Sequence, residues 1–126
     1  MAEGIAQKWL DDHDCDGWLA VSAGTSAIEG VRPSYQTMEA LSQRGIEFDG
    51  TSSRLTKEMV VAAKLVLCMS RSHLAVAGQY GDNVEMLNPD GPVADPIGQE
   101  QPVYDELANK IEVLIGNRLE ELILKE

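Results

Sequence analysis

The run Leu65-Val66-Leu67-Cys68-Met69 is apolar at every position, and few folds accommodate such a segment. A strand with one face in water alternates apolar and polar residues, whereas a strand covered on both faces is apolar throughout. A second such run, Trp18-Leu19-Ala20-Val21-Ser22, follows a turn-forming stretch and ends in the small residues Ala23-Gly24-Thr25. Val84-Glu85-Met86-Leu87 is a weaker third. Helical patterns separate them, which predicts an α/β protein: a three-layer sandwich whose helices cover both faces of a parallel sheet. Sheets of this kind bind ligands at the carboxyl ends of their strands, so the loops after Ser22, after Met69 and around Asp95 are expected to border one crevice.

The helices declare themselves by spacing and caps. Ala2, Ile5, Ala6, Trp9 and Leu10 recur at helical intervals over residues 2–12, and Asp11, Asp12, Asp14, Asp16 and Gly17 end the pattern. No cap residue precedes it, because Met1 already lies inside the periodicity. Pro33 opens a helix with Tyr35, Met38, Ala40 and Leu41 on one face and Gly45 at the C′ stop. Thr56 is an N-cap for residues 57–63, and Ser70 is one for a helix that carries Leu74 and Val76 and ends near Gly78. From Pro102 a long terminal helix is expected, with Val103, Leu107, Ile111, Leu114, Ile115, Leu119 and Leu122 as its apolar stripe.

With 126 residues, 44% of them hydrophobic, the chain is expected to form a single domain over 1–126. Its longest apolar runs fall well short of the ~18–20 residues that span a membrane, so no membrane association is expected. The opening Met1-Ala2-Glu3 lacks the basic start of a secretory signal. Cys15 and Cys68 are too few for a disulfide framework, which points to a reducing cytoplasm. They form no Cys/His cluster, so neither a metal nor a cofactor is expected. A net charge of -11 with ten Lys and Arg argues against a nucleic-acid partner.

Asp95-Pro96-Ile97-Gly98 is the stretch with chemical content. Pro96 biases Asp95 toward extended backbone angles, Gly98 opens conformations closed to other residues, and Ile97 supplies an apolar side chain. A carboxylate fixed in this way can act as an acid, although Asp-Pro-x-Gly is also a common turn. Asp90, in Asn88-Pro89-Asp90-Gly91, reads as an ordinary turn residue.

Five stretches in order carry a family resemblance: Met1-Ala2-Glu3-Gly4-Ile5-Ala6; Val21-Ser22-Ala23-Gly24-Thr25; Met38-Glu39-Ala40-Leu41 before Arg44-Gly45-Ile46; Leu65-Val66-Leu67-Cys68-Met69; and Asp95-Pro96-Ile97-Gly98 before a terminal helix. Together they resemble the low-molecular-weight protein tyrosine phosphatases over essentially the whole chain. Members dephosphorylate tyrosine or arginine side chains of proteins, and some arsenate reductases share the fold. The resemblance implies a cysteine thiolate that attacks phosphorus, an arginine and backbone amides that hold the phosphoryl oxygens, and an aspartate that protonates the leaving group. Asp95 matches that general acid. A neighbouring thiolate and phosphoryl dianion would favour the protonated form of such an aspartate. Ser22 matches a serine that supports the phosphate loop, and can equally be a plain strand-end hydroxyl. Ile97 stands where tyrosine-directed members usually carry an aromatic residue that stacks on the substrate ring.

The family's loop reads Cys-x5-Arg-Ser-Pro, and neither Cys15 nor Cys68 has an arginine six positions on. The expectation is that strand, loop and nucleophile lie upstream of Met1. The lost strand would fall between Trp18–Ser22 and Leu65–Met69, and its removal would open a gap of two strand spacings of about 4.7–4.9 Å each with unpaired main-chain groups on both sides. The alternative is a catalytically silent binding or regulatory module of the same fold. A histidine that many members carry before the third helix is replaced by Asp49-Gly50-Thr51-Ser52, where Thr51 or Ser52 could serve as donors. His13 and His73 read as surface residues. The expected substrate is a phosphorylated protein side chain, tyrosine first and arginine second, with Tyr35 and Tyr80 as further contacts or core residues. Arsenate reduction fits less well, because Cys68 alone does not supply the cysteine relay it needs.

Overall fold

The computed structural model describes residues 1–25 and 28–124. Its elements are α1 (Ala2–Asp12), α2 (Tyr35–Ser42), α3 (Lys57–Ala62), β1 (Val66–Cys68), α4 (Arg71–Ala77), β2 (Val84–Met86) and α5 (Gln101–Leu119), which closes in a π-helical turn, Glu120–Leu124. Contacts gather them into two units. One comprises Met1–Ser22, Val31–Thr51 and Pro96–Glu126, and the other Ala23–Gly30 with Ser52–Asp95.

In the first unit α1 and α2 both pack on α5. Helix α1 buries Gly4, Ile5 and Leu10, α2 buries Ala40 and Leu41, and α5 buries Tyr104, Ala108, Ile111 and Ile115. Gly4 sits close to its neighbours: a Cβ there would lie 3.3 Å from Leu41 Cδ1 and 3.4 Å from Phe48 Cδ1. Ser34 caps α2 by accepting the Thr37 N–H at 3.2 Å, with Pro33 just outside the helix rather than in its first turn. At the other end Gly45 takes φ +74 while the Ile46 N–H reaches the Leu41 carbonyl at 3.0 Å and the Gly45 N–H reaches Ser42 at 3.0 Å. That is a Schellman stop at the predicted C′ glycine. Arg44 then ties this end to α5, donating to Asn109 Oδ1 and lying 3.5 Å from Glu112 Oε2.

Helix α1 ends in the same way. The Cys15 N–H reaches the Leu10 carbonyl at 2.9 Å, with Asp14 in the left-handed region at φ 55. His13 is exposed, as expected of a surface residue, and stacks on Trp9 at 3.9 Å between ring centroids, with its Nδ1 2.8 Å from the Trp9 carbonyl.

In the second unit β1 and β2 run parallel, with Val66 opposite Val84 and Cys68 opposite Met86. The ladder extends through Val66 N–H to Asn83 O and Leu87 N–H to Cys68 O, both 2.8 Å. Val60, Cys68 and Ala77 form the buried centre, packed by Leu55, Leu74, Tyr80 and Met86. The Asn83 amide donates to the Val60 and Ala63 carbonyls at 2.9 and 2.8 Å, satisfying the open end of α3. Thr56 and Ser70 cap α3 and α4 as their positions predict. The result is an α/β fold with a parallel pair of strands.

Three expectations change. Trp18–Ser22 is extended but belongs to no strand ladder among the described residues, and Leu19 is 77% and Val21 65% exposed. Parallel pairing begins just beyond, where Gly24 bridges Arg54. Tyr35 is 76% exposed rather than packed, although the turn that carries it is tied to α5, where the Gln101 side-chain amide donates to the Gln36 carbonyl at 2.9 Å. The stripe of α5 holds at Leu107, Ile111, Leu114, Ile115, Leu119 and Leu122, which are buried or half-buried, but not at Val103, which is exposed, and Tyr104 and Ala108 join the buried face.

The two Schellman stops give substitutions of opposite sign. Gly45→Ala forces a side chain into the left-handed region and should cost about 1 kcal/mol. Asp14→Gly relieves the same strain and should be neutral or stabilising by a few tenths to about 1 kcal/mol. Urea unfolding of both variants checks this, and a destabilised Asp14→Gly protein would contradict it.

Candidate active site

Val93 anchors the Asp95 loop. It is buried, and its N–H donates to the Met69 carbonyl at 2.7 Å, immediately past the carboxyl end of β1. The preceding bend is fixed by Asn88, whose side chain accepts the Asp90 N–H at 3.0 Å while its carbonyl accepts the Gly91 N–H at 3.2 Å. Asp90 is thus a turn residue, as its sequence implies. Asp95 follows two residues after Val93 and is exposed. Next comes a tight turn: the Gln99 N–H donates to the Pro96 carbonyl at 2.9 Å, and Gly98 takes φ +79. A positive φ at the third position defines a type II turn and explains the glycine. Ile97 occupies its second position and is 78% exposed. The carboxylate therefore sits between a buried anchor at the strand end and a turn with little freedom.

Ser22 is held from the first turn of α1. Its N–H and its hydroxyl both donate to Glu3 Oε1, at 2.8 and 3.0 Å. One turn along the helix, Gln7 Oε1 accepts the Ala20 N–H at 3.0 Å. Alternate main-chain donors of the extended segment are thus satisfied by two side chains of α1, four residues apart and on one face. Reading the sequence for apolar periodicity passed over Glu3 and Gln7. The signal available was the polar pair at i, i+4 beside a segment with no obvious ladder partner. Of the two proposed substitutes for the family histidine, Ser52 has its hydroxyl donated to the Ile28 carbonyl, while Thr51 is exposed.

Neither cysteine is placed as a nucleophile. Cys68 is buried inside β1, and burial pushes its thiol above the ordinary range, the opposite of what activates a thiolate. Cys15 is half-buried at the end of α1, where its Sγ lies 3.5 Å from the His13 carbonyl. Among the described residues no group of three or more His, Cys, Asp or Glu is arranged to hold a metal, and no helix is long and apolar enough to cross a membrane.

The structure is thus a parallel α/β fold with an aspartate loop anchored at a strand's carboxyl end, and comparison with known proteins identifies its family. The profile of the low molecular weight phosphotyrosine protein phosphatase family matches residues 1–126. The chain belongs to that family. It is 29% identical over 127 residues to the protein-arginine-phosphatase of Geobacillus stearothermophilus, covering 94% of this chain and 86% of the relative. The solved structure of the YwlE arginine phosphatase from that organism matches with a TM-score of 0.86 at 28% identity, covering 98% of this chain and 86% of the other. A low molecular weight protein tyrosine phosphatase from T. tengcongensis matches with a TM-score of 0.83 at 30% identity, covering 95% and 88%.

The burial of Cys68 has two measurable consequences. Under native conditions a thiol reagent should modify Cys15 well before Cys68, and equal rates would contradict the assignment. Because the folded thiol holds its proton to higher pH than the unfolded one, the stability it contributes is complete below the ordinary thiol pKa of about 8.5 and is lost as pH rises beyond it. Cys68→Ala should be less stable at pH 7 yet show a flatter decline between pH 8 and 10 in urea titrations.

Proposed function

We propose that the protein is a phosphoprotein phosphatase in which Asp95 is the general acid, acting in a reducing cytoplasm as one domain over residues 1–126. Residues 1–126 contain no Cys-x5-Arg stretch, so in this reading the nucleophilic loop is contributed by sequence upstream of Met1. Its thiolate attacks the phosphorus of the substrate, the bond from phosphorus to the side-chain nitrogen or oxygen breaks, and Asp95 gives its proton to that leaving atom. Water then releases the phosphate from sulfur. The single observation that carries the reading is the loop itself: an exposed carboxylate held between Val93, bonded to the end of β1, and the type II turn at Pro96–Gln99, in a chain of this family.

The substrate in this proposal is a phosphorylated protein side chain, recognised without nucleic acid, membrane, metal or cofactor. Sequence alone put phosphotyrosine ahead of phosphoarginine. Two considerations favour phosphoarginine: relatives named protein-arginine-phosphatase, and the aliphatic Ile97, which offers no ring face to an aromatic substrate. The match to a tyrosine phosphatase of similar identity keeps phosphotyrosine as the second substrate.

The protein expressed from its own gene should hydrolyse phosphoarginine peptides faster than phosphotyrosine peptides, and Asp95→Asn should lower kcat about 10²–10⁴-fold with a small change in KM. Unchanged turnover in that variant removes Asp95 from the role. A wild-type protein that hydrolyses neither peptide supports instead the silent binding module.

A further inference from the structure

The sequence holds three Asp-Gly pairs, Asp16-Gly17, Asp49-Gly50 and Asp90-Gly91, and the fold treats them differently. A glycine has no Cβ to shield its own nitrogen and leaves the backbone free to turn, so the carboxyl of a preceding aspartate can reach that nitrogen. At Asp90 the nitrogen is engaged: the Gly91 N–H donates to the Asn88 carbonyl at 3.2 Å, and the Asp90 N–H donates to Asn88 Oδ1 at 3.0 Å. At Asp49 it is crowded, because a Cβ on the half-buried Gly50 would lie 2.5 Å from Phe48 Cζ and the ring stands over the glycine.

At Asp16 neither restraint is present. Asp16 and Gly17 are both exposed, and nothing lies within 4 Å of a Cβ built on Gly17. Their turn is closed by the flanking residues, with the Trp18 N–H donating to the Cys15 carbonyl at 3.1 Å. That places Gly17 third in a four-residue turn, where the main-chain N–H is not used by the turn itself, and among the described residues it has no hydrogen-bond partner. We propose that Asp16-Gly17 is a modification site, at which the aspartate isomerises through a cyclic imide to isoaspartate ahead of the other two pairs.

The reaction needs only water. The Gly17 nitrogen attacks Asp16 Cγ and an N–Cγ bond forms, while the amide proton and the carboxyl hydroxyl leave as one water. Water then adds to the imide. Attack at Cγ returns aspartate, whereas attack at the main-chain carbonyl breaks its bond to nitrogen and leaves the chain running through Cβ and Cγ, one methylene longer. That extra length falls at the head of the segment whose Ala20 and Ser22 N–H groups are held by Gln7 at 3.0 Å and Glu3 at 2.8 Å. Both acceptors sit on α1 at fixed spacing, so a lengthened turn draws their donors out of register and loosens the segment. Nothing in this chemistry requires the phosphatase reading.

The protein expressed from its own gene, held folded in mildly acidic buffer at physiological temperature and then digested, should yield the isoaspartate peptide at residue 16 before those at 49 and 90. The residue after each aspartate is the same, so in urea the three sites should converge. Gly17→Ala and Asp16→Glu should each lose the signal at residue 16 and leave the other two unchanged, and the exposed glycine accepts a methyl group without contact, so circular dichroism should match wild type. In the isomerised fraction the Ala20 and Ser22 amides should exchange with solvent faster. Isoaspartate at 49 or 90 that appears as early as at 16 in the folded protein overturns the proposal, as does an order unchanged by urea or a Gly17→Ala protein that isomerises like wild type. Amide exchange unaltered by isomerisation overturns the effect assigned to the lengthened turn.

Discussion

Every main-chain N–H in a folded chain must find an acceptor, and this requirement shapes both units. In β1 and β2 it is met by a parallel ladder that runs from Val66 to Leu87. In the extended segment at Ala20 and Ser22 it is met by Gln7 and Glu3, side chains of a helix. The second solution has a different energetic character. A ladder is reinforced by neighbours on both sides, whereas a side-chain acceptor must give up rotamer freedom to hold its bond, and Leu19 and Val21 remain in solvent. The segment is therefore ordered by a few polar contacts and contributes little apolar burial. Its residues are consequently the ones whose hydrogen bonds matter individually.

The elements that could be read from the sequence were those governed by local chemistry. Thr56, Ser70 and Gly45 each do what their side chain or its absence dictates within one turn of chain, and no tertiary contact overrides them. β1 was legible because an uninterrupted apolar run has few alternatives. Trp18–Ser22 has the same composition, but a strand requires a partner as well as a pattern, and composition says nothing of the partner. The start of α5 departs from its pattern for a related reason. Spacing groups Val103 with Leu107, but Tyr104 and Ala108 are the residues buried there, and an alanine carries too little hydrophobic weight to be chosen by pattern alone.

The candidate site divides along the same line. The Asp95 loop could be recognised because Pro96 and Gly98 are residues whose backbone restrictions are visible in their identity, and the turn they form has the φ that such a glycine permits. Its anchor could not. Val93 looks like any loop valine until its N–H is seen on the Met69 carbonyl. Glu3 was likewise invisible as a partner of Ser22, since nineteen residues of chain separate them and only the fold makes them neighbours.

The division of labour follows from these constraints. A general acid must sit where its proton can be delivered, but its own hydrogen bonds must not hold that proton too firmly, so rigidity has to come from the backbone on either side. In the proposed role of Asp95, which is exposed, the backbone on either side supplies restraint through Val93, whose N–H is on the Met69 carbonyl, and Gly98 at φ +79. At Ser22 the restraint is a side chain instead: both its N–H and its hydroxyl donate to Glu3 Oε1. Cys68 illustrates the third case. Surrounded by Val60, Ala77 and their apolar neighbours, its thiol is held neutral by the same burial that stabilises β1, so the side chain best placed to build the core is the one least able to act as a nucleophile.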